Sequence, residues 1–180
     1  MAAILFSFRQ FWEEFFSQSS DVPQGNVLKD YSVPVIAMMQ LVKFPLIGVP
    51  RLAMIVAIAT FLVDVAALYL VAGGLSGFID NGRNRSQPPE EATALAGFSL
   101  TPVWLVEPFF FIEGWNWLFA ALSICYAFLI CRSGLVVLAG RTMRPGRSAM
   151  RNSALLLVTV STAVFFVERA LLRLFNGLPI

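Results

Sequence analysis

Asp64 and Arg132 are the two charged residues that lie deepest inside long apolar segments of this chain. A carboxylate at such a depth costs about 2.5–3.5 kcal/mol on membrane-insertion scales, so it is expected to face other helices and to have a partner. Counted from the outer ends of their segments, Asp64 lies 13 residues in and Arg132 lies 17 residues in. At ~1.5 Å per residue their depths differ by only about 6 Å. The sequence therefore predicts an intramembrane ion pair between Asp64 and Arg132.

This pair has two interpretations. It either forms a proton or ion site, or it is a structural ion pair. A neutral Asp64 that is hydrogen-bonded to a serine, a threonine or Tyr69 is a further structural alternative. We favour a structural role, because a lone acid without a histidine or a second acid is a poor proton relay.

Further charged residues fall near the outer ends of the apolar segments: Glu107, Glu113, Glu168, Lys43, Arg51 and Arg169. We expect them to form a belt of charges at the outer membrane interface. Trp104, Trp115 and Trp117 are expected at the same level as aromatic anchors, because indole rings favour the headgroup region.

The residue types give little indication of metal binding, cofactor binding or catalysis. The chain has no histidine, which excludes histidine-ligated haem, histidine metal sites and histidine proton shuttles. Its serines and threonines have no histidine to activate them, and no phosphate-binding loop or nucleophile elbow occurs. Cys125 and Cys131 lie six residues apart, on different faces of a helix, and cannot bridge each other. We therefore expect no enzyme activity and no cofactor.

Long apolar runs supply the elements that must position these residues. Hydrophobic residues make up 58% of the 180 positions, whereas soluble domains have about 45–50%. Five transmembrane helices are predicted, at residues 32–49, 51–79, 93–111, 115–139 and 152–175. The first is interrupted by Pro34, Gln40, Lys43 and Pro45, so a re-entrant hairpin is its alternative. The third and fourth are separated at the polar cluster Glu113–Asn116, and Pro102 is expected to kink the third.

An aromatic segment precedes these runs. Ile4, Phe8, Phe11, Trp12 and Phe15 follow helical spacing, and charged residues fall on another face. The pattern predicts an amphipathic helix whose aromatic side chains dip into the lipid headgroups; packing on a partner protein is the alternative. Residues 1–31 are then an interfacial helix and linker, and residues 32–180 form an all-α integral membrane domain of five helices.

The basic residues predict the orientation. Arg141, Arg144, Arg147 and Arg151 share one short loop without an acidic residue, and such loops stay in the cytoplasm. Alternation of the five helices then places the N-terminus inside and the C-terminus outside. These arginines are expected to contact anionic lipid, together with Phe8, Phe11, Trp12 and Phe15. The net charge of +2 is too small to indicate nucleic-acid binding.

One set of residues resembles a known family. The set is Ala94 or Ala96, Ser99, Leu100, Thr101, Pro102, Trp117, Tyr126 and Gly134. In this order it resembles the Yip domain family of Ypt/Rab-interacting membrane proteins, in its bacterial form, over about residues 30–175. Cys131, Arg132, Glu107 and Glu113 depart from the family pattern. The long cytosolic N-terminal region of eukaryotic members is missing, so binding of a small GTPase is not carried over.

The resemblance implies a multi-pass, non-enzymatic protein of the bacterial cytoplasmic (inner) membrane. We expect a structural or adaptor protein, or an accessory subunit of a larger membrane complex, whose partners are the lipid bilayer and other membrane-protein subunits. The alternative is a small transporter or channel component in which Asp64 and Arg132 line the path. An intramembrane enzyme is the least supported hypothesis.

Overall fold

The described part of the chain is almost entirely helical. A computed structural model describes residues 8–18, 26–47, 50–79, 90–111, 114–141 and 147–176. Its α-helices are α1 (Phe8–Gln18), α2 (Val33–Ile47), α3 (Pro50–Ile79), α4 (Glu90–Val106), α5 (Asn116–Arg141) and α6 (Arg147–Asn176). A π-helical turn, Leu28–Ser32, leads directly into α2, and a 3₁₀ turn, Glu107–Phe111, continues α4.

Four of the helices are long and apolar enough to cross a membrane. Their candidate spans are Arg51–Gly77, Glu90–Phe110, Asn116–Gly140 and Arg151–Leu174. The prediction of an all-α, multi-pass membrane protein is confirmed to the extent that four helices have the length and composition of membrane spans. The first predicted span is not among the four, because α2 has 15 residues and the hydrocarbon core needs about 20.

The predicted boundary between the third and fourth apolar segments coincides with a turn. Gly114 has φ 87°, which glycine adopts without the steric cost that a side chain brings, and α5 begins two residues later. Positions 112 and 113, just before this glycine, lie outside the described residues. Pro102 lies inside the helix Glu90–Val106, and the kink expected there stays a prediction.

Helix α4 lies at the centre of the bundle, where it packs between α3 and α5. It is the most enclosed of the four candidate spans, and small residues on it, including Ala92, Ala96 and Ser99, are fully buried. Small side chains let neighbouring helices approach closely in a membrane. Trp104 is buried among these helices, so the expectation that it is an interfacial anchor is wrong.

Helix α1 packs on the bundle of its own chain. The Trp12 ring is fully buried, and its Nε1 donates a hydrogen bond to the Ile130 carbonyl oxygen over 3.2 Å. Phe98 contacts Phe11, Trp12 and Phe15 edge to face. Gly134 lies against the Trp12 indole, and any side chain added at Gly134 would collide with Trp12 and Leu95. A recess without a side chain therefore receives the indole.

This packing corrects the expected lipid contacts of the N-terminal helix. Trp12 cannot dip into lipid headgroups, because α4 and α5 enclose it. Phe11 and Phe15 are half-buried against the same core, and the side chain of Phe8 lies outside the described part of the structure. The exposed face of α1 is polar and carries the Arg9–Glu13 ion pair. The location of this face at a membrane interface stays a prediction.

The replacement Trp12→Ala tests whether α1 is part of the folded bundle. Removal of a buried tryptophan should lower the free energy of unfolding by about 3–5 kcal/mol, and α1 should become sensitive to protease. Thermal unfolding in detergent and limited proteolysis measure both effects. Trp115→Ala is the control, because Trp115 is 62% exposed. Equal behaviour of the two variants contradicts the packing.

Candidate functional site

Four buried ionisable side chains meet inside the bundle, and we call them the charge cluster: Lys43, Asp64, Glu107 and Glu168. Lys43 comes from α2, Asp64 from α3, Glu107 from the first residue of the 3₁₀ turn and Glu168 from α6. The first three residues are 0% exposed and Glu168 is 3% exposed. The cluster therefore joins four separate elements at a place almost closed to solvent.

Lys43 is the cation at the centre of the cluster. Its Nζ lies 2.6 Å from Glu107 Oε2 and 2.8 Å from Glu168 Oε1. Charges withdrawn from water lose several kcal/mol of hydration each, which only close and well-satisfied partners compensate. Two carboxylates within hydrogen-bond distance provide such partners, so Lys43 ties α2 to both α6 and the end of α4.

The carboxylate of Asp64 accepts a hydrogen bond from a neutral side chain, which is in turn bonded to a threonine. Gln40 Nε2 donates to Asp64 Oδ2 over 2.9 Å, and Thr60 Oγ1 donates to Gln40 Oε1 over 2.5 Å. The Asp64 carboxylate fixes the orientation of the Gln40 amide, because only the amide nitrogen can donate to it. Gln40 and Lys43 lie three residues apart and so share one face of α2.

The three carboxyl groups also meet one another. An oxygen of each of Asp64, Glu107 and Glu168 lies within 4.8 Å of the others. Among the described residues, neither Asp64 Oδ1 nor Glu107 Oε1 accepts a hydrogen bond from an amide, ammonium or alcohol donor. A hydrogen bond between two carboxyl groups requires a proton on one of them.

The count of charges limits what the cluster can hold. Three ionised carboxylates and one ammonium would leave a net charge of −2 in a medium of low dielectric, which is strongly unfavourable. Additional protons, or a bound cation, would remove this charge. A metal ion would have to lie beside the Lys43 ammonium, which already contacts two of the three carboxylates. The cluster therefore fits shared protons better than a metal ion.

The structure does not bring Asp64 and Arg132 together. Asp64 faces α2, whereas Arg132 is exposed and lines a surface cavity with Arg151. The depth of Arg132 suits a pair, but Lys43 and Gln40 on the neighbouring helix take that place. The sequence did contain an indication of this partner. Gln40 and Lys43 are the polar residues that weaken the segment 32–49 as a membrane span, and they face Asp64.

Three residues of the predicted charge belt, Lys43, Glu107 and Glu168, lie together, and they are buried inside the bundle. Their level relative to the membrane interface stays a prediction. Arg51 is exposed, and Arg169 lies over the Trp117 ring at 5.7 Å from its centroid. Glu113 lies outside the described residues.

The basic residues expected to contact lipid are described only in part. Arg151 is exposed near the start of α6. Arg141 and Arg147 belong to helices, but their side chains lie outside the described part of the structure, as does the whole of Arg144. Their contact with lipid stays a prediction.

Comparison with known proteins gives no family assignment. No protein-family model matches the sequence, and no match was found to a curated protein or to a solved structure. The resemblance to the Yip domain family rests on the residues quoted above.

The replacement Lys43→Met tests the centre of the cluster. It leaves two buried carboxyl groups without their cation, and loss of one partner from a buried ion pair costs about 3–5 kcal/mol. Thermal unfolding in detergent should show this loss, whereas Lys29→Met, at the other lysine of the chain and an exposed one, should behave like the wild type.

A compensated variant completes this experiment. Adding Glu107→Gln and Glu168→Gln to Lys43→Met removes the unpaired charges and should recover part of the stability, because neutral replacements of buried ion pairs are well tolerated. If Lys43→Met and Lys29→Met unfold at the same temperature, Lys43 does not hold the bundle together.

Proposed function

We propose that the chain is a non-enzymatic, polytopic membrane protein that acts as a structural or adaptor protein, or as an accessory subunit of a larger membrane complex, as its resemblance to the Yip domain family implies. The observation that supports this most is the burial of the charge cluster. Lys43 pairs with Glu107 and Glu168 across three elements. Gln40 links α2 to Asp64 on a fourth, and all four charged side chains are almost closed to solvent. Such an arrangement serves helix association better than it serves the binding of a substrate.

The proposal includes five membrane-embedded segments, with α2 as the first. The π-helical turn and α2 contain 5 and 15 consecutive residues, and at ~1.5 Å per residue they reach about 30 Å, the thickness of the hydrocarbon core. Support comes from Gln40 and Lys43, which bond to residues of α3 and α6. An isolated interfacial segment would not reach these helices.

The outer faces of the helices suit contact with lipid or with other membrane subunits. Large aliphatic side chains are exposed there, among them Leu62, Leu70, Leu122 and Leu155. In water such a surface would promote aggregation, whereas lipid chains or apolar helices cover it without cost. The partners we propose are therefore the bilayer and other membrane proteins, and not nucleic acid.

The proposed orientation is N-terminus inside and C-terminus outside, in a bacterial cytoplasmic membrane. Cysteine labelling tests it after Cys125 and Cys131 are replaced by alanine. Single cysteines at Ser86 and Ser148 should react only with a reagent that crosses the membrane, whereas one at Leu178 should also react with an impermeant reagent outside the cell. If positions 148 and 178 react from the same side, α6 does not cross the membrane and the proposed orientation is wrong.

A second candidate function is a small transporter or channel component that binds protons. The surplus of carboxyl groups over ammonium groups in the charge cluster favours it, as does the approach of the Asp64, Glu107 and Glu168 carboxyl oxygens to within 4.8 Å of one another. Its residues would be those of the charge cluster and not the pair of Asp64 with Arg132.

The replacement Asp64→Asn separates the two functions. The asparagine side chain keeps an oxygen that accepts from Gln40, so the fold should survive. With the chain in vesicles that contain a pH-sensitive dye, a structural role predicts no proton flux above protein-free vesicles for either the wild type or the variant. A wild-type flux that Asp64→Asn abolishes and Asp30→Asn retains would instead establish transport; Asp30 is exposed.

A further inference from the structure

A cavity of about 510 Å³ opens on the surface between α5 and α6, and two arginines line it. Arg132 belongs to the candidate span Asn116–Gly140, and Arg151 is the first residue of the candidate span Arg151–Leu174. Most of the remaining wall is apolar and comes from both helices: Phe128, Leu135, Leu155 and Val158. The cavity therefore combines two cationic groups with a hydrocarbon surface.

Neither arginine has an acidic partner in the part of the chain that the structure describes. The ion pairs found there are those of Lys43 and the Arg9–Glu13 pair. An exposed guanidinium within a membrane-spanning helix is costly without a counter-charge. Both arginines are exposed and line the same cavity, so one anion could reach both. Guanidinium groups bind phosphate oxygens in pairs of parallel hydrogen bonds.

A second cavity, of about 360 Å³, lies on another side of Arg132. Arg9 lines it together with the apolar side chains of Leu129, Val136 and Val137. Arg132 therefore lines two apolar grooves at once. This arrangement matches a molecule that has one anionic head and two hydrocarbon chains.

We propose that Arg132 and Arg151 form a binding site for an anionic glycerophospholipid. The phosphate lies between the two guanidinium groups, and one acyl chain lies along Phe128 and Leu155. The largely apolar wall selects a lipid over a free phosphate ion, since a free ion would gain nothing from it. The inference rests on the proposed membrane location of the chain and adds a defined lipid site to it.

Native mass spectrometry of the full chain in detergent tests the site with phosphatidylglycerol, which is anionic, and phosphatidylcholine, which has no net charge. The wild type should bind phosphatidylglycerol more tightly, on the order of tenfold or more, because the choline cation of phosphatidylcholine is repelled by the two arginines and offsets the charge of its phosphate. The double variant Arg132→Gln, Arg151→Gln should bind both lipids equally. The variant Arg132→Lys, Arg151→Lys should keep part of the preference, since lysine retains the charge but not the paired geometry.

Two controls make the result specific. Arg173→Gln removes an exposed arginine near the other end of α6, away from the cavity, and should leave the lipid preference unchanged. Leu155→Trp should fill the groove and weaken binding of the lipid although both arginines remain. Soluble glycerol phosphate at millimolar concentration should not displace the lipid.

The site is refuted if the double glutamine variant and Arg173→Gln show the same preference for phosphatidylglycerol, or if glycerol phosphate displaces the lipid. A separate measurement shows whether the chain is an integral membrane protein at all. If it is not, an alkaline carbonate wash would release the wild-type chain from membranes, whatever lipid it binds in detergent.

Discussion

The ammonium group of Lys43, enclosed between Glu107 and Glu168, is the interaction on which the rest of the bundle depends. Helix α2 is short and contains Pro45, so hydrophobicity alone gives it a weak hold in a membrane. A buried ion pair adds little net stability when its partners are complete, but it penalises every arrangement that separates them. The pairing therefore fixes the position of α2 against α6 and the end of α4 more than it strengthens the bundle.

Helix α4 connects this interaction to the aromatic packing around α1. Near its start, Leu95 and Phe98 lie against Trp12. At its end, Glu107 enters the charge cluster. Between these points the helix is enclosed by its neighbours, and Thr101 Oγ1 lies 3.0 Å from the Tyr31 hydroxyl oxygen. A tilt or shift of α4 would therefore disturb both ends together, so the apolar and ionic contacts support one common arrangement.

The sequence predicts the helices well because length, hydropathy and turn residues are local properties. The apolar segments, the turn at Gly114 and the amphipathic helix α1 all follow from them. Ion pairs and hydrogen bonds between helices depend on which helix faces meet, and the depth of a residue in the membrane does not determine this. Asp64 and Arg132 have similar depths, yet Lys43 and Gln40 lie on the helix that faces Asp64. The aromatic face of α1 likewise suits lipid and protein equally. The recess at Gly134, which lies far from α1 in the sequence, explains why the aromatic face packs on protein and not on lipid.

The sequence separation within the ion pair has a consequence for biosynthesis. Lys43 and Glu168 are 125 residues apart, so a ribosome adding roughly 5–20 residues per second makes the carboxylate about 6–25 s after the lysine. During that interval α2 is made while the Glu168 carboxylate is still missing. The complete ion pairing of Lys43 must therefore await the synthesis of α6.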